Sequence, residues 1–182
     1  MSCPAYAEIR KTLQRYPDSK LGFIVYRCTY ESDSDWEKFM TYLTISVRTQ
    51  LEEEELSDVA DRLSWNVQQD PALLNGGSFE TVREKFQEWI ASGVEAKHAT
   101  SRHHACIMVT KQSLDDVLKD GPPPEMYDIY GSAWVYLVSA KDGGNDDDCQ
   151  CYTRIGISYL LPRAYSMLHG PGWTSIYNQT CP

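Results

Sequence analysis

The sequence predicts an α+β fold: a single curved sheet of about five strands, mixed or antiparallel, with helices packed mainly on one face. Three observations predict it. Runs rich in β-branched and aromatic residues alternate with segments whose apolar residues recur at helical spacing. Their order reads β-α-β-α-β-α-β-β-α, with no internal repeat and no linker. At 182 residues and 42% hydrophobic content, the chain fills one sizeable core and is short for two. Residues 1–182 therefore read as one domain, with 1–20 an N-terminal segment and 141–151 a flexible acidic loop.

Each element has its own signal. Residues 22–30, from Gly22 to Tyr30, form a strand with two apolar faces, expected to be central and covered on both sides. Ser34-Asp35-Trp36-Glu37 has a capping-box pattern, and Trp36, Phe39, Met40, Leu43 and Val47 line one helical face over 35–48. A short helical piece follows near Leu56, Val59 and Ala60. Residues 63–68 alternate, with Leu63, Trp65 and Val67 on one side of a half-buried strand. Ser78 opens a helix over 78–91 whose stripe is Phe79, Val82, Phe86, Trp89 and Ile90, and Gly93 stops it. Residues 104–109 and 133–139 are further strands, separated by a short helix that starts at Ser113 and ends at Gly121 and Pro122. Residues 153–159 are the fifth strand, a short helix covers 162–168, and the tail from Gly170 is irregular.

The formal net charge is −9 and no Lys/Arg cluster is present, so phosphate backbones are poor partners and nucleic acid is not expected. The acidic runs Glu52–Glu55 and Asp146–Asp148 read as solvated surface. No apolar stretch is long enough to cross a bilayer, so no membrane partner is expected. The N-terminus lacks the apolar centre of a signal peptide, which makes a cytoplasmic location the expectation, with Cys3, Cys28, Cys106, Cys149, Cys151 and Cys181 as reduced thiols.

Familiar reaction signatures are missing from the sequence. Gly76-Gly77 and Gly143-Gly144 lack the strand–loop–helix setting of a nucleotide loop, and no nucleophile elbow occurs. Cys28 or Cys106 with His104 or His169 would make a Cys–His pair, but cysteines inside strands are usually small buried hydrophobes. His103-His104 and the Asp146–Cys151 segment are weak metal motifs, and no metal or other cofactor is expected.

Two arginines carry more information. Arg27 lies in an apolar strand on the face of Phe23 and Val25. Arg154 begins the fifth strand, on the face of Gly156. A buried guanidinium is costly unless it is paired or faces a polar cavity. Tyr26, Tyr30, Trp65, Trp134, Tyr136 and Tyr159 supply aromatic surface, and Gly156 leaves room beside it. Core packing accounts for such rings, and so does a hollow for an apolar molecule that carries one polar group.

Gly22-Phe23-Ile24-Val25-Tyr26-Arg27-Cys28-Thr29-Tyr30 is followed by an acidic turn and Trp36. Further on, Asp70-Pro71-Ala72-Leu73 is followed by a helix containing Val82-Arg83-Glu84-Lys85-Phe86. In these features the chain, from Gly22 to about Trp173, resembles a group of small, mostly uncharacterised intracellular proteins of filamentous fungi. The resemblance transfers no catalytic residue. It implies a fungal setting and, by analogy, small-molecule biosynthesis.

Two functions fit these features. The first is a cofactor-free isomerase or cyclase, including pericyclic reactions of the Diels–Alder type, that holds an apolar metabolite in an aromatic pocket. Arg27 and Tyr136 would be its catalytic residues, and Tyr26, Trp65, Trp134 and Arg154 would bind the substrate. The second is a non-catalytic small-molecule-binding or protein-interaction domain. A closed aromatic hollow favours the first; an exposed apolar or acidic patch favours the second.

Overall fold

A computed structural model of the protein describes residues 4–98, 100–141 and 150–180. In chain order the elements are α1 (Pro4–Arg15), β1 (Ile24–Arg27), α2 (Asp33–Glu53), a 3-10 segment (Ser57–Arg62), β2 (Asn66–Gln68), α3 (Pro71–Leu74) and α4 (Phe79–Ser92). They continue with β3 (Ala105–Val109), α5 (Lys111–Asp120), β4 (Trp134–Ser139), β5 (Tyr152–Gly156), α6 (Tyr165–His169) and α7 (Trp173–Thr180). The strands form one mixed sheet in the order β2-β1-β3-β4-β5. β1 runs parallel to β2 and β3, while β3–β4 and β4–β5 are antiparallel.

The two parallel crossovers explain where the helices go. The chain runs from β1 to β2 in one direction across the sheet, then back past β1 to β3 in the other. Crossovers of one hand that run in opposite directions must lie on opposite faces. The larger core cluster lies on the face of α2, where Phe23, Val25, Ile107, Val135 and Leu137 meet Phe39, Leu43, Val47 and Leu114. On the other face, α4 lays Val82, Phe86 and Trp89 against Ile24, Tyr26, Cys106, Met108 and Val138. Successive strand residues alternate between these two clusters, as the pleat requires. Both faces of β1 are covered, as its two apolar faces predict.

Several predicted boundaries shift, each for a local reason. Gly22 has φ 105° and a Cβ there would lie 3.3 Å from the Trp65 ring, so β1 starts only after it. Ser32, not Ser34, caps α2, accepting from the Asp35 N–H at 3.1 Å. Thr110 caps α5 one turn earlier than Ser113, and the two side chains reciprocate. The predicted strand over 153–159 ends at Gly156, because Ile157–Tyr159 coils into a 3-10 turn. The N-terminal segment is a helix that buries Ile9 and Leu13, one turn apart, and Arg10 ties it to Asp58 at 2.7 Å. The tail is helical as well: α7 buries Ile176 against the larger core. Most of the predicted acidic loop over 141–151 lies outside the described residues.

Candidate functional site: an aromatic and cationic cleft at the sheet edge

β5 is an edge strand, and its outward residues meet those of β4. The antiparallel register sets Trp134 opposite Gly156 and Tyr136 opposite Arg154. A period of two puts all four on one face. Arg154 crosses diagonally and lays its guanidinium over the Trp134 ring, Cζ 3.7 Å from the centroid. Trp134 is held in turn by its indole N–H, which donates to Asp116 Oδ2 at 2.9 Å. Tyr136 packs edge-on to Trp134 at 5.0 Å and to Phe79 at 4.9 Å, and Phe79 stacks flat on Tyr152 at 3.5 Å. Each ring is thus braced by another, which fixes Trp134 as a rigid platform.

Beside this platform is an open cleft of about 740 Å³, bounded by Tyr130, Gly131, Trp134, Arg154, Gly156, Tyr159, Arg163 and Met167. The space that Gly156 leaves is partly taken: a Cβ there would come within 3.2 Å of the Tyr159 ring and 3.4 Å of Gly131 Cα. A second guanidinium, that of Arg163, sits 5.3 Å from the Tyr159 ring centre. Tyr159 meets Tyr127 edge-on, and burial together with the Tyr159 hydrogen bond pushes the Tyr127 phenol up to about 12. Among the described residues no carboxylate lies within ion-pair distance of Arg154 or Arg163.

The cleft rim is an exposed loop with a buried polar anchor. Asp128 takes hydrogen bonds from the Tyr130 and Ala133 N–H groups, at 3.2 and 2.7 Å, and its own N–H donates to Ser158 Oγ. With Asp128 satisfied inside, its neighbours turn outward: Ile129 is 64% exposed and Tyr130 87%. Met126 and Tyr127 extend the same apolar surface.

The other predicted site residues lie elsewhere. Arg27 is buried on the α2 face and fully engaged. It donates to the Thr29 carbonyl at 2.8 Å, to Gln69 Oε1 at 3.2 Å and to Asp33 Oδ1 at 2.6 Å, between the Tyr30 and Trp36 rings. It is not among the residues lining the β5-edge cleft, and its bonds tie β1 to the start of α2. Its partner, Asp33, stands six residues along the chain. Trp65 also belongs to the α2 face, where its indole N–H donates to Thr44 Oγ1. Tyr26 lies under α4, in the same register row as Arg154 but three strands away, with Met108 and Tyr136 between them. Tyr136 stands behind Arg154 as a brace and does not line the cleft. Sequence reading thus brings together Trp134, Tyr136 and Arg154. It misses Arg163 and the exposed loop, whose signal was the apolar Met126-Tyr127…Ile129-Tyr130 run after three prolines.

The thiol pair offers no nucleophile. Burial pushes the Cys28 thiol up to about 12 and raises the Cys106 thiol well above its ordinary value, so neither is a thiolate at neutral pH. His104 Nδ1 is engaged with the Leu168 carbonyl at 3.1 Å. Among the described residues, no three His, Cys, Asp or Glu side chains converge as a metal site would require, and no helix is long and apolar enough to cross a membrane. A space between α1 and α6, beside Ile9 and Tyr165, holds about 30 Å³, roughly one water. No family model, curated protein or solved structure matches this chain.

Proposed function

We propose that the β5-edge cleft binds an apolar small molecule carrying an anionic group, with Arg154 and Arg163 as its polar anchors and Trp134 as its flat wall. One observation carries this reading. In a chain of net charge −9, two guanidinium groups sit in one cleft, stacked on aromatic rings, with no carboxylate among the described residues engaging them. A stacked arginine keeps its N–H fork free to meet a carboxylate, sulfonate or phosphate in two-point fashion. The open shape and the exposed Ile129–Tyr130 rim support a binding module over a closed reaction chamber.

The test uses 8-anilinonaphthalene-1-sulfonate, an apolar anion whose fluorescence reports binding. The Arg154→Met, Arg163→Met double variant is expected to weaken it by about 100-fold, one tenfold step for each charged hydrogen bond lost. Equal binding by wild type and double variant would refute the proposal.

A second reading, cofactor-free isomerisation or cyclisation of a bound metabolite, draws on the same braced platform. Arg154 beside Trp134 can polarise a carbonyl while the rings hold one conformer. The two readings part on whether the bound compound is recovered unchanged, as read by chromatography and mass spectrometry.

A further inference from the structure

The β5-edge cleft is not confined to one face of the sheet. Arg154 and Gly156 share the face of Trp134, and Ile155 points to the opposite face, yet all three line the cleft. A space reached from both faces of a pleated strand runs along that strand's open edge. The backbone there is unpaired. Ile157 N–H donates to the Ala133 carbonyl at 2.9 Å, and Ser139 N–H to the Cys151 carbonyl at 2.8 Å. In an antiparallel ladder, residues of one parity bond to the neighbouring strand and those of the other parity turn away. Thr153 and Ile155 therefore bond to β4, while Tyr152, Arg154 and Gly156 aim their N–H groups outward. β5 ends the sheet, so no strand receives them. The outward Arg154 carbonyl takes one long bond from the Thr153 hydroxyl, at 3.5 Å, and keeps a second lone pair.

A charge on an edge strand often serves to keep other strands away. Here the charge is turned aside. Trp134 stands on β4, so a guanidinium lying on its ring leans inward over the sheet and leaves the edge clear. Arg163 reaches in beside Tyr159, whose ring lies 3.2 Å from where a Gly156 Cβ would be. The side of the cleft that Gly156 faces is thus cationic. The side that Ile155 faces is apolar, with Met167 and Ile176 in its wall. We infer that the β5 edge takes an extended peptide as a sixth strand, its acidic side chains on the Arg154 face alternating with apolar ones on the Ile155 face. The choice of acidic residues rests on the anion reading of the cleft; the backbone pairing does not. In a chain of net charge −9, these two arginines are what draws an acidic segment in. The exposed Ile129 and Tyr130 rim the same cleft, apolar surface beside the added strand.

The probe is a short capped peptide of alternating glutamate and valine with a fluorescent label, read by polarisation against the full chain. It is expected to bind saturably, and the Arg154→Met, Arg163→Met double variant to weaken it about 100-fold. Two further peptides separate backbone pairing from attraction by charge, one N-methylated at every glutamate and one at every valine. In an added strand the N–H groups of one set point to β5 and those of the other to solvent. One methylated peptide is therefore expected to lose at least about tenfold, and the other to stay within about threefold of the parent. No binding of the parent, equal binding by the two methylated peptides, or full binding of the parent by the double variant would each overturn the inference. The sulfonate probe judges the anion reading by itself. Sulfonate lost in the double variant, with the methylated peptides equal, keeps the anion site and removes the strand. Sulfonate unchanged in a double variant that loses the peptide, with the methylated pair unequal, removes the anion reading and keeps the strand.

Discussion

On β1 an arginine is buried and bonded through three of its N–H groups, whereas at the β5 edge another lies exposed on a ring with no described carboxylate within ion-pair distance. The two sit on strands with similar apolar and aromatic composition. What separates them is coverage. β1 has a neighbour on each side and a helix layer on each face, so the Arg27 charge must be met within the protein. β5 has a neighbour on one side only, and Arg154 keeps its N–H groups toward the cleft. An arginine that no described carboxylate pairs is therefore a stronger pointer to a ligand than one the fold must bury.

The largest expected effect tests how solid the β1 end is. Phe86 is fully buried and meets Tyr26 edge-on at 6.4 Å. Phe86→Ala is expected to cost about 3–5 kcal/mol in denaturant unfolding, since it opens a cavity that the sheet and α4 cannot close. Phe79→Ala, in the half-exposed aromatic stack near β5, is expected to cost no more than about half of that. Equal losses would erase the contrast between a packed interior and an adaptable edge.

Arg27→Met comes next. It keeps much of the volume but removes three hydrogen bonds and two ring contacts, so about 2–3 kcal/mol of stability is expected to go. Binding of the sulfonate probe at the β5 edge is expected to stay unchanged, because Arg27 lies outside that cleft. A stable variant that loses probe binding would restore Arg27 to the site.

These cases show what the sequence makes legible. Five strands and the two long helices follow from periodicity, since burial on a pleat or a helix imposes a period that substitutions must respect. Strand order does not follow from it: β1 lies between β2 and β3, and only the hand of the crossovers places α4 on the second face. Trp134, Tyr136 and Arg154 were legible as a group because a single β-pairing unites them. Arg163 was not, because it reaches the cleft from beyond the 3-10 turn, by a route that no local pattern encodes. Tyr26 and Trp134 share a face but stand on β1 and β4 with β3 between them, and a strand order of this kind is not written in local periodicity.

A pH effect follows on the β2 side, from the nearly buried Arg102, which holds Glu95 at 3.0 Å and also donates to the Ser64 carbonyl. Burial raises the Glu95 carboxyl, but the hydrogen bond and charge of Arg102 outweigh it and bring the group from 4.5 to about 2. A depressed folded-state value means stability that is present above the ordinary carboxylate range and lost as pH falls from about 4.5 toward about 2. After a discount for solvent screening, the loss attributable to this pair is about 1–2 kcal/mol. Glu95→Gln is expected to remove that component of the acid limb in urea titrations at stepped pH. An acid limb of unchanged depth would show that the pair adds nothing.

The smallest stability change is expected at Arg154, and it sharpens the comparison most. Its side chain is exposed, its one described contact is the face of Trp134, and a cation–ring contact in water is worth about 0.5–1 kcal/mol. Methionine retains apolar contact with the same ring, so Arg154→Met is expected to shift unfolding by less than about 0.5 kcal/mol. The same change is expected to weaken the sulfonate probe about tenfold, because it removes one of two anchors from a cleft whose walls are otherwise intact. Arg154→Lys separates charge from shape. A point charge does not reproduce the planar two-point fork, so lysine is expected to recover only part of the lost affinity. If lysine restores binding completely, the cleft attracts anions by charge alone. If Arg154→Met unfolds the protein while Arg27→Met leaves it stable, the roles assigned to the two ends of the sheet are reversed.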